Sequence, residues 1–485
     1  MKNKILVVAF RWMIYVLPAM LFFSYYPIIS FGANETMNFE LSVPLIWLVL
    51  FDFLVAILLV REKMLARLFK KWQIWLFPLF VTLSLIWSLN VVRGILTVGV
   101  MWLIVVAAVG VYLLRDLVKD GEFLMMFWRW FFGSALFVCA WCVVQCILDV
   151  LGVSRECSLL CAGCTSFSFG FPHPNGFAIE PQFMGNLLLA PAIVAMYMIV
   201  KGNWNNTFQG RVARARRHGA RALILGRDLR KPFKVLFPVA FILVATLFLT
   251  FSRGAIYAFI VAMVFMTTFF VVRTKKWKVM TIWPIIIVAF IVTLNFQGVL
   301  AQVSPTNDTY QSGVAKVLNH LSLGIIDIRV KENEVTVPET NDVNSENVLK
   351  EDGNEAEFDG YVEESTEIRK MLTNNAISLW ARDLKTMMLG VGIGGAGQAM
   401  YDAGLTASPK EIVQNEYASL LLEIGLVGVA FLLFAFVVVM RLIIKSSMAP
   451  VILTLLVAYG VTLVFFSGFA NALQIYLLLA VLFAL

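Results

Sequence analysis

The chain has 485 residues, 60% of them hydrophobic and 14% charged, with a formal net charge of +8 and a mean hydropathy of +0.83. Soluble chains average about 45–50% apolar and about 25% charged residues, so this composition excludes a soluble enzyme, a disordered chain, a fibrous repeat and a small disulfide scaffold. The apolar residues run unbroken instead of alternating, which excludes a transmembrane β-barrel as well.

A bilayer offers backbone polar groups no partner outside the chain, so apolar runs of about 20 residues read as helices. Twelve runs follow in order: 8–31, 41–60, 72–90, 95–114, 123–150, 176–200, 235–251, 255–272, 279–297, 416–440, 449–467 and 470–485. The expected fold class is an all-α polytopic membrane protein with about twelve transmembrane helices and one large extracytoplasmic loop. The first run follows Lys2 and Lys4 as a signal peptide would. It is too long for one, contains Arg11 and lacks a small-residue cleavage site, so it reads as an anchor.

Basic residues set the orientation. The segments 1–7, 61–71, 115–122, 201–234, 273–278 and 441–448 together carry 25 Lys or Arg, against three (Arg93, Arg155 and Arg253) in the short segments of opposite parity. Both termini are therefore expected in the cytoplasm of a cytoplasmic (inner) membrane. Three regions result: 1–297 with nine spans and the basic cytoplasmic loop 201–234; 298–415, an acidic extracytoplasmic loop; and 416–485 with three spans. The long loop carries nine basic and eighteen acidic residues. The cluster Arg211–Arg221 reads as a topogenic loop against anionic lipid, so no nucleic-acid partner is expected.

Within the long loop, Val314–Leu318 and Leu321–Ile328 suit short helices at the membrane surface. Residues 331–367, rich in Asn, Asp and Glu, read as a solvated excursion. Residues 369–389 regain helical periodicity through Leu372, Ala376, Trp380, Leu384 and Met387, with Glu363, Glu364 and Glu367 near the expected helix start. Gly390-Val-Gly-Ile-Gly-Gly-Ala-Gly397 follows and contains a literal G-x-G-x-x-G. A helix precedes it where a dinucleotide fold requires a strand, so it reads as a turn with bare N–H groups suited to approach an anion.

Cys139, Cys142 and Cys146 lie in the fifth span and read as small buried packers; Cys157, Cys161 and Cys164 lie in the segment after it. The latter spacing resembles a cluster-binding C-x3-C-x2-C, but outside the cytoplasm a disulfide within the set, leaving one thiol over, is the reading preferred. No spacing of His, Cys and Asp suits zinc, and no metal or cofactor is expected.

The charges that oppose the topogenic bias carry the chemistry. Arg253, in Thr250-Phe-Ser-Arg-Gly254, sits at a tight hairpin between the seventh and eighth spans. It reads as a snorkelling side chain on lipid phosphate or as a permanently charged fork for a phosphate ligand. Glu180, followed by Pro181, lies at the outer end of the sixth span, either bridging an arginine or acting on substrate.

Three segments together resemble the O-antigen ligase/polymerase family of membrane glycan-assembling enzymes. Thr250-Phe-Ser-Arg-Gly-Ala255 is similar to the family's T-x-S-R-G-A turn. Arg369, the amphipathic segment and Gly390-Val-Gly-Ile-Gly394 are similar to its R…P-L-x-G-x-G-x-G passage, with Met387 or Met388 where Pro is usual. Gln414-Asn415, nine residues, Gly425, two residues and Gly428 resemble its H-[NSQ]-x9-G-x2-G run. Glu180-Pro181 resembles the E-P pair of many capsule and exopolysaccharide polymerases. The resemblance spans about residues 165–440. It departs from the ligases at Gln414, where they carry a histidine; an amide cannot act as a general base, which points to a polymerase-type or divergent member.

The resemblance implies a metal-independent glycosyltransferase that polymerises or transfers a polyprenyl-diphosphate-linked glycan at the outer face of the membrane. Ligase activity proper and a polysaccharide transporter or flippase are the alternatives. Partners implied are the polyprenyl-diphosphate-linked oligosaccharide, membrane lipid and other glycan-assembly proteins. Arg253 and Arg369 are expected to hold the leaving diphosphate, with Arg382 as a third cation. Glu180 is the first candidate base, on the ground that partial burial near the interface raises a carboxylate pKa, and His320 is the second. Gln414, Asn415, Glu416 and Tyr417 are expected to orient sugar hydroxyls, and Gly392 and Gly394 to border the ligand.

Overall fold

The computed structural model describes residues 2–22, 27–31, 39–64, 69–118, 121–151, 171–178, 180–201, 232–275, 277–303, 309–322, 354–444 and 448–465, with 67, 446 and 478 besides. Eight helices are long and apolar enough to cross a membrane, and three shorter apolar helices, Trp72–Trp87, Leu236–Leu249 and Ala449–Thr462, accompany them. These are the helices of an integral membrane protein. The twelfth expected span, 470–485, lies outside the described residues apart from Leu478.

In chain order the helices are α1 (Lys2–Phe22), α2 (Val43–Arg61), α3 (Leu76–Leu83), α4 (Val91–Leu114), α5 (Gly121–Val150), α6 (Pro181–Lys201), α7 (Pro232–Leu249), α8 (Arg253–Thr274), α9 (Ile282–Val303), α10 (Tyr310–Leu321), α11 (Asn354–Trp380), α12 (Leu384–Leu389), α13 (Ala396–Asp402), α14 (Glu416–Ile443) and α15 (Ala449–Thr462). The centre of the bundle is α6, buried from Met184 to Ile199. It is apolar on every face, as a helix surrounded by other helices must be. It packs on α7, α8 and α15, while α1 pairs with α5 and α2 with α4.

Four expectations are corrected. The first span does not run to 31: α1 ends at Phe22, and Pro27–Phe31 (β1) pairs antiparallel with Phe39–Ser42 (β2). Pro27 cannot continue a helix and biases its predecessor to extended backbone. The third span is shorter, because residues 84–87 tighten into a 3-10 turn. There Ser84 Oγ accepts from the Ile393 N–H (3.2 Å) and Ser88 Oγ donates to the Ile393 carbonyl (2.8 Å). The acidic excursion does not extend to 367, since α11 begins at Asn354 and so encloses Glu363, Glu364 and Glu367. Glu, Lys and Met are good helix formers whatever their hydropathy. That helix stops at Trp380 and not at 389; Asp383 caps a separate α12, its carboxylate accepting from the Thr386 N–H at 2.9 Å. Residues 152–170, 202–231 and 323–353, with the second cysteine set and the basic cluster, lie outside the described residues.

Candidate functional site

Helix α7 ends at Leu249, and the chain reverses through Thr250, Phe251 and Ser252. Thr250 Oγ1 donates to the Leu247 carbonyl (2.8 Å), and Ser252 caps α8 by accepting from the Ala255 N–H (3.4 Å). Phe251, buried to 1%, has φ +45°. A bulky side chain in that region costs on the order of 1–3 kcal/mol and persists only where its surroundings enforce it. Arg253 follows as the first residue of the 22-residue α8, half-buried. A cation at a helix N-terminus opposes the macrodipole, so Arg253 gains nothing there for the helix. The same position favours an anion twice over, by the dipole and by the guanidinium.

Other expected residues gather around this turn. Gly185, one turn into α6, lets that helix close on the reversal: a Cβ there would lie 2.8 Å from the Cβ of Ala255. Gln182 Nε2 donates to the Phe465 carbonyl (2.8 Å), and Phe465 lies against Gly254. Two residues earlier, the Leu463 carbonyl accepts from the Glu416 N–H at 2.9 Å. Tyr257 Oη donates to the Leu321 carbonyl (2.5 Å), which fastens α10 to α8. The 463–465 turn thus joins the starts of α6, α8 and α14, and the segments bearing Glu180, Arg253, His320 and Glu416 share one end of the bundle.

Their environments differ from expectation. Glu180 is exposed, not partly buried, because it lies ahead of the packed helix α6. Glu416 is the buried carboxylate, 1% exposed in the first turn of α14. His320 is not an exposed loop histidine: it is 3% exposed on α10, with Nε2 3.2 Å from the Phe251 carbonyl. A carbonyl only accepts, so Nε2 carries the proton. Burial pushes the His320 pKa down to about 4, with Arg253 adding to the depression. His173, seen in the sequence only as an isolated residue, stands beside it with ring centroids 5.8 Å apart. Its pKa is also well below the ordinary value, first through burial and then through His320.

Arg369 continues the buried stripe Leu372-Ala376-Leu379, by which α11 packs near Val413, Ala418 and Leu422. It is half-buried, on the helix that packs on α14. Arg382 is exposed and pairs with Asp383 at 3.3 Å, a surface pair of small energetic weight.

The glycine passage is a packing device and not an open anion loop. Gly392 (φ +86°) would place a Cβ 2.3 Å from the Ser88 Cα, and Gly394 (φ +77°) one 2.6 Å from the Gly94 nitrogen. The N–H groups of Val391 and Gly392 donate to the Leu422 and Glu423 carbonyls (2.9 Å each). Glu423, and Arg93, which the sequence shows only as an outer-side cation, complete this contact. The Glu423 carboxylate accepts from the Ala396 N–H at 3.4 Å, and Arg93 acts on it electrostatically. The run 414–417 is likewise partly structural. Asn415 caps α14 by accepting from the Tyr417 and Ala418 N–H groups (3.0 and 3.2 Å). Tyr417 Oη donates to the Gly460 carbonyl (2.7 Å), and Gln414 is half-buried before the cap.

Among the described residues no group of three or more His, Cys, Asp or Glu gathers as a metal site would need. A cavity of about 430 Å³ lies between α1 and α5, lined by Phe22, Arg129, Trp130 and Phe137 among others, and Phe137 stacks on Phe177 ahead of α6 (6.1 Å).

No curated protein matches the chain. Residues 238–433 match the family model described as O-antigen ligase. That range holds the 250–255 turn, Arg369, the glycine passage and the 414–428 run, so the resemblance read from these motifs is borne out: over residues 238–433 this membrane protein is similar to the O-antigen ligase family.

Proposed function

We propose that the chain is a glycosyltransferase that polymerises a polyprenyl-diphosphate-linked glycan at the outer face of the cytoplasmic membrane. The acceptor is a sugar hydroxyl of a second lipid-linked glycan, and neither metal nor nucleotide takes part. The observation that carries this reading is Arg253 at the head of α8, in a strained turn beside the starts of α6 and α14. In the proposed reaction the acceptor oxygen bonds to the anomeric carbon while the sugar–phosphate bond breaks. The electron pair leaves with the diphosphate, and the helix N-terminus and guanidinium of Arg253 stabilise the charge that develops there. Arg369 supplies a second cation from α11. The hydroxyl proton passes to Glu180, an exposed carboxylate at the mouth of the same end; exposure and place, not burial, support that role. Gln414, half-buried just ahead of α14, orients the acceptor.

Polymerisation is preferred over transfer to a lipid or protein acceptor because Gln414 stands where the resembling ligases carry a histidine. The test is to give the purified chain, in detergent, a lipid-diphosphate oligosaccharide. Longer glycans with free polyprenyl diphosphate are expected. Unchanged substrate that only crosses the bilayer of a reconstituted vesicle would overturn the reading in favour of a flippase.

A further inference from the structure

Four buried rings from three segments, Phe251 among them, pack together just ahead of Ser252. Phe171 and His173 come from the segment ahead of α6, Phe251 from the reversal and His320 from α10. Phe171 meets Phe251 at 5.1 Å, His173 and His320 at 5.7 Å each, and His173 stacks on Phe251 at 5.9 Å with an interplanar angle of 26°. Gln297 of α9 holds the intervening Pro172 carbonyl at 2.9 Å, and Gln145 of α5 holds the Gly176 backbone at both its carbonyl and its N–H (2.8 Å each). The cluster is therefore anchored on two spans. Three non-glycine residues among those described have positive φ, Lys63, Phe251 and Lys275; all three follow helix ends, and Phe251 alone of them is buried. A phenyl ring would fill the place of His320 equally well, but only the imidazole donates to the Phe251 carbonyl.

We propose that His320, backed by His173, is a positioning residue for Arg253: the pair holds the Phe251 carbonyl, and through it the left-handed turn that aims the guanidinium from the head of α8. The imidazole does not take the acceptor proton, since its Nε2–H is committed to that carbonyl. Burial first, then Arg253 acting on both rings and His320 on His173, keeps the pair neutral where the turn must stay intact. The catalytic consequence rests on the transferase reading; the geometry does not.

The test compares His320→Phe, His320→Gln and the wild type as full chains in detergent, assayed with a lipid-diphosphate oligosaccharide. His320→Phe keeps the ring and loses the donor, and is expected to lower kcat by about a hundredfold, as misplacement by about 1 Å does. His320→Gln restores a donor and is expected to recover at least about tenfold of that loss. A Gln variant as slow as the Phe variant would overturn the proposal in favour of a base, and a Phe variant as fast as wild type in favour of packing alone. Nitrogen-15 NMR of the wild-type chain, which has three histidines, reads the same claim without turnover. For His320, assigned by its loss in His320→Gln, an Nε2–H tautomer that stays neutral down to about pH 5 is expected, and titration of that ring near its ordinary value would overturn it. If the wild type transfers no glycan, the transferase reading fails while the NMR still decides the histidine claim.

Discussion

Arg253 and Glu180 illustrate how position, more than residue type, assigns work in a membrane protein. The guanidinium sits where the helix dipole repels it, an arrangement that a bound anion relieves. Glu180 stands exposed on the adjoining helix start, so Glu180→Gln removes a proton acceptor without disturbing packing. We expect transfer to fall by about 10²–10⁴ with unchanged membrane insertion and thermal stability; a variant of wild-type rate would assign the proton to another group. The buried histidines give a second prediction. His320 titrates at about 4 in the folded chain against an ordinary 6.5, so the unfolded chain takes up the proton first. Its contribution to stability is full above about pH 6.5 and is lost as pH falls toward 4, by up to about 1.4 kcal/mol per pH unit. The thermal midpoint should drop between pH 7 and pH 5, and drop less in His320→Gln; equal drops would contradict the assignment.

At the scale of elements, the join between the glycine passage and the break in α14 is the most demanding contact. Gly425 (φ +60°) interrupts α14, and a Cβ there would lie 2.5 Å from the Met388 carbonyl carbon. Gly425→Ala is therefore expected to fail to accumulate as folded protein. Gly99→Ala on α4, where a Cβ meets nothing within 4 Å, should be neutral or stabilising by up to about 1 kcal/mol. Similar yields for the two variants would show that the join is plastic. Asn415→Ala should cost about 1 kcal/mol as a lost helix cap, seen as a lower thermal midpoint with transfer retained; loss of transfer at full stability would return Asn415 to the substrate.

For the molecule as a whole, the charge asymmetry predicts that the end carrying Arg253 faces outward. A cysteine placed at exposed Ala403 should react with a membrane-impermeant thiol reagent in intact spheroplasts; reaction only after permeabilisation would reverse the orientation. Much of this plan was legible in the sequence, because apolar runs and the 250–255, 369–394 and 414–428 motifs are local patterns. What stayed hidden was long-range. His173 and His320 are 147 residues apart and share no period; the prolines on both sides of His173, fixing it in an extended segment near Glu180, were the available signal. The fit of Gly392 and Gly394 against Ser88 and Gly94 is likewise a tertiary fact, which is why glycines that look ready for a ligand are occupied by the chain itself. Glu180 was misjudged because a helix start at the interface need not be buried.

Transfer by the proposed route depends on a fixed cation at the head of α8 that accommodates a departing lipid diphosphate. The most direct measurement is polyprenyl diphosphate released per enzyme from a lipid-diphosphate oligosaccharide, for the wild type and Arg253→Ala in the same detergent. We predict release slower by about 10²–10³ in the variant, with equal yield of folded protein. Equal rates of release from the two proteins would contradict the account.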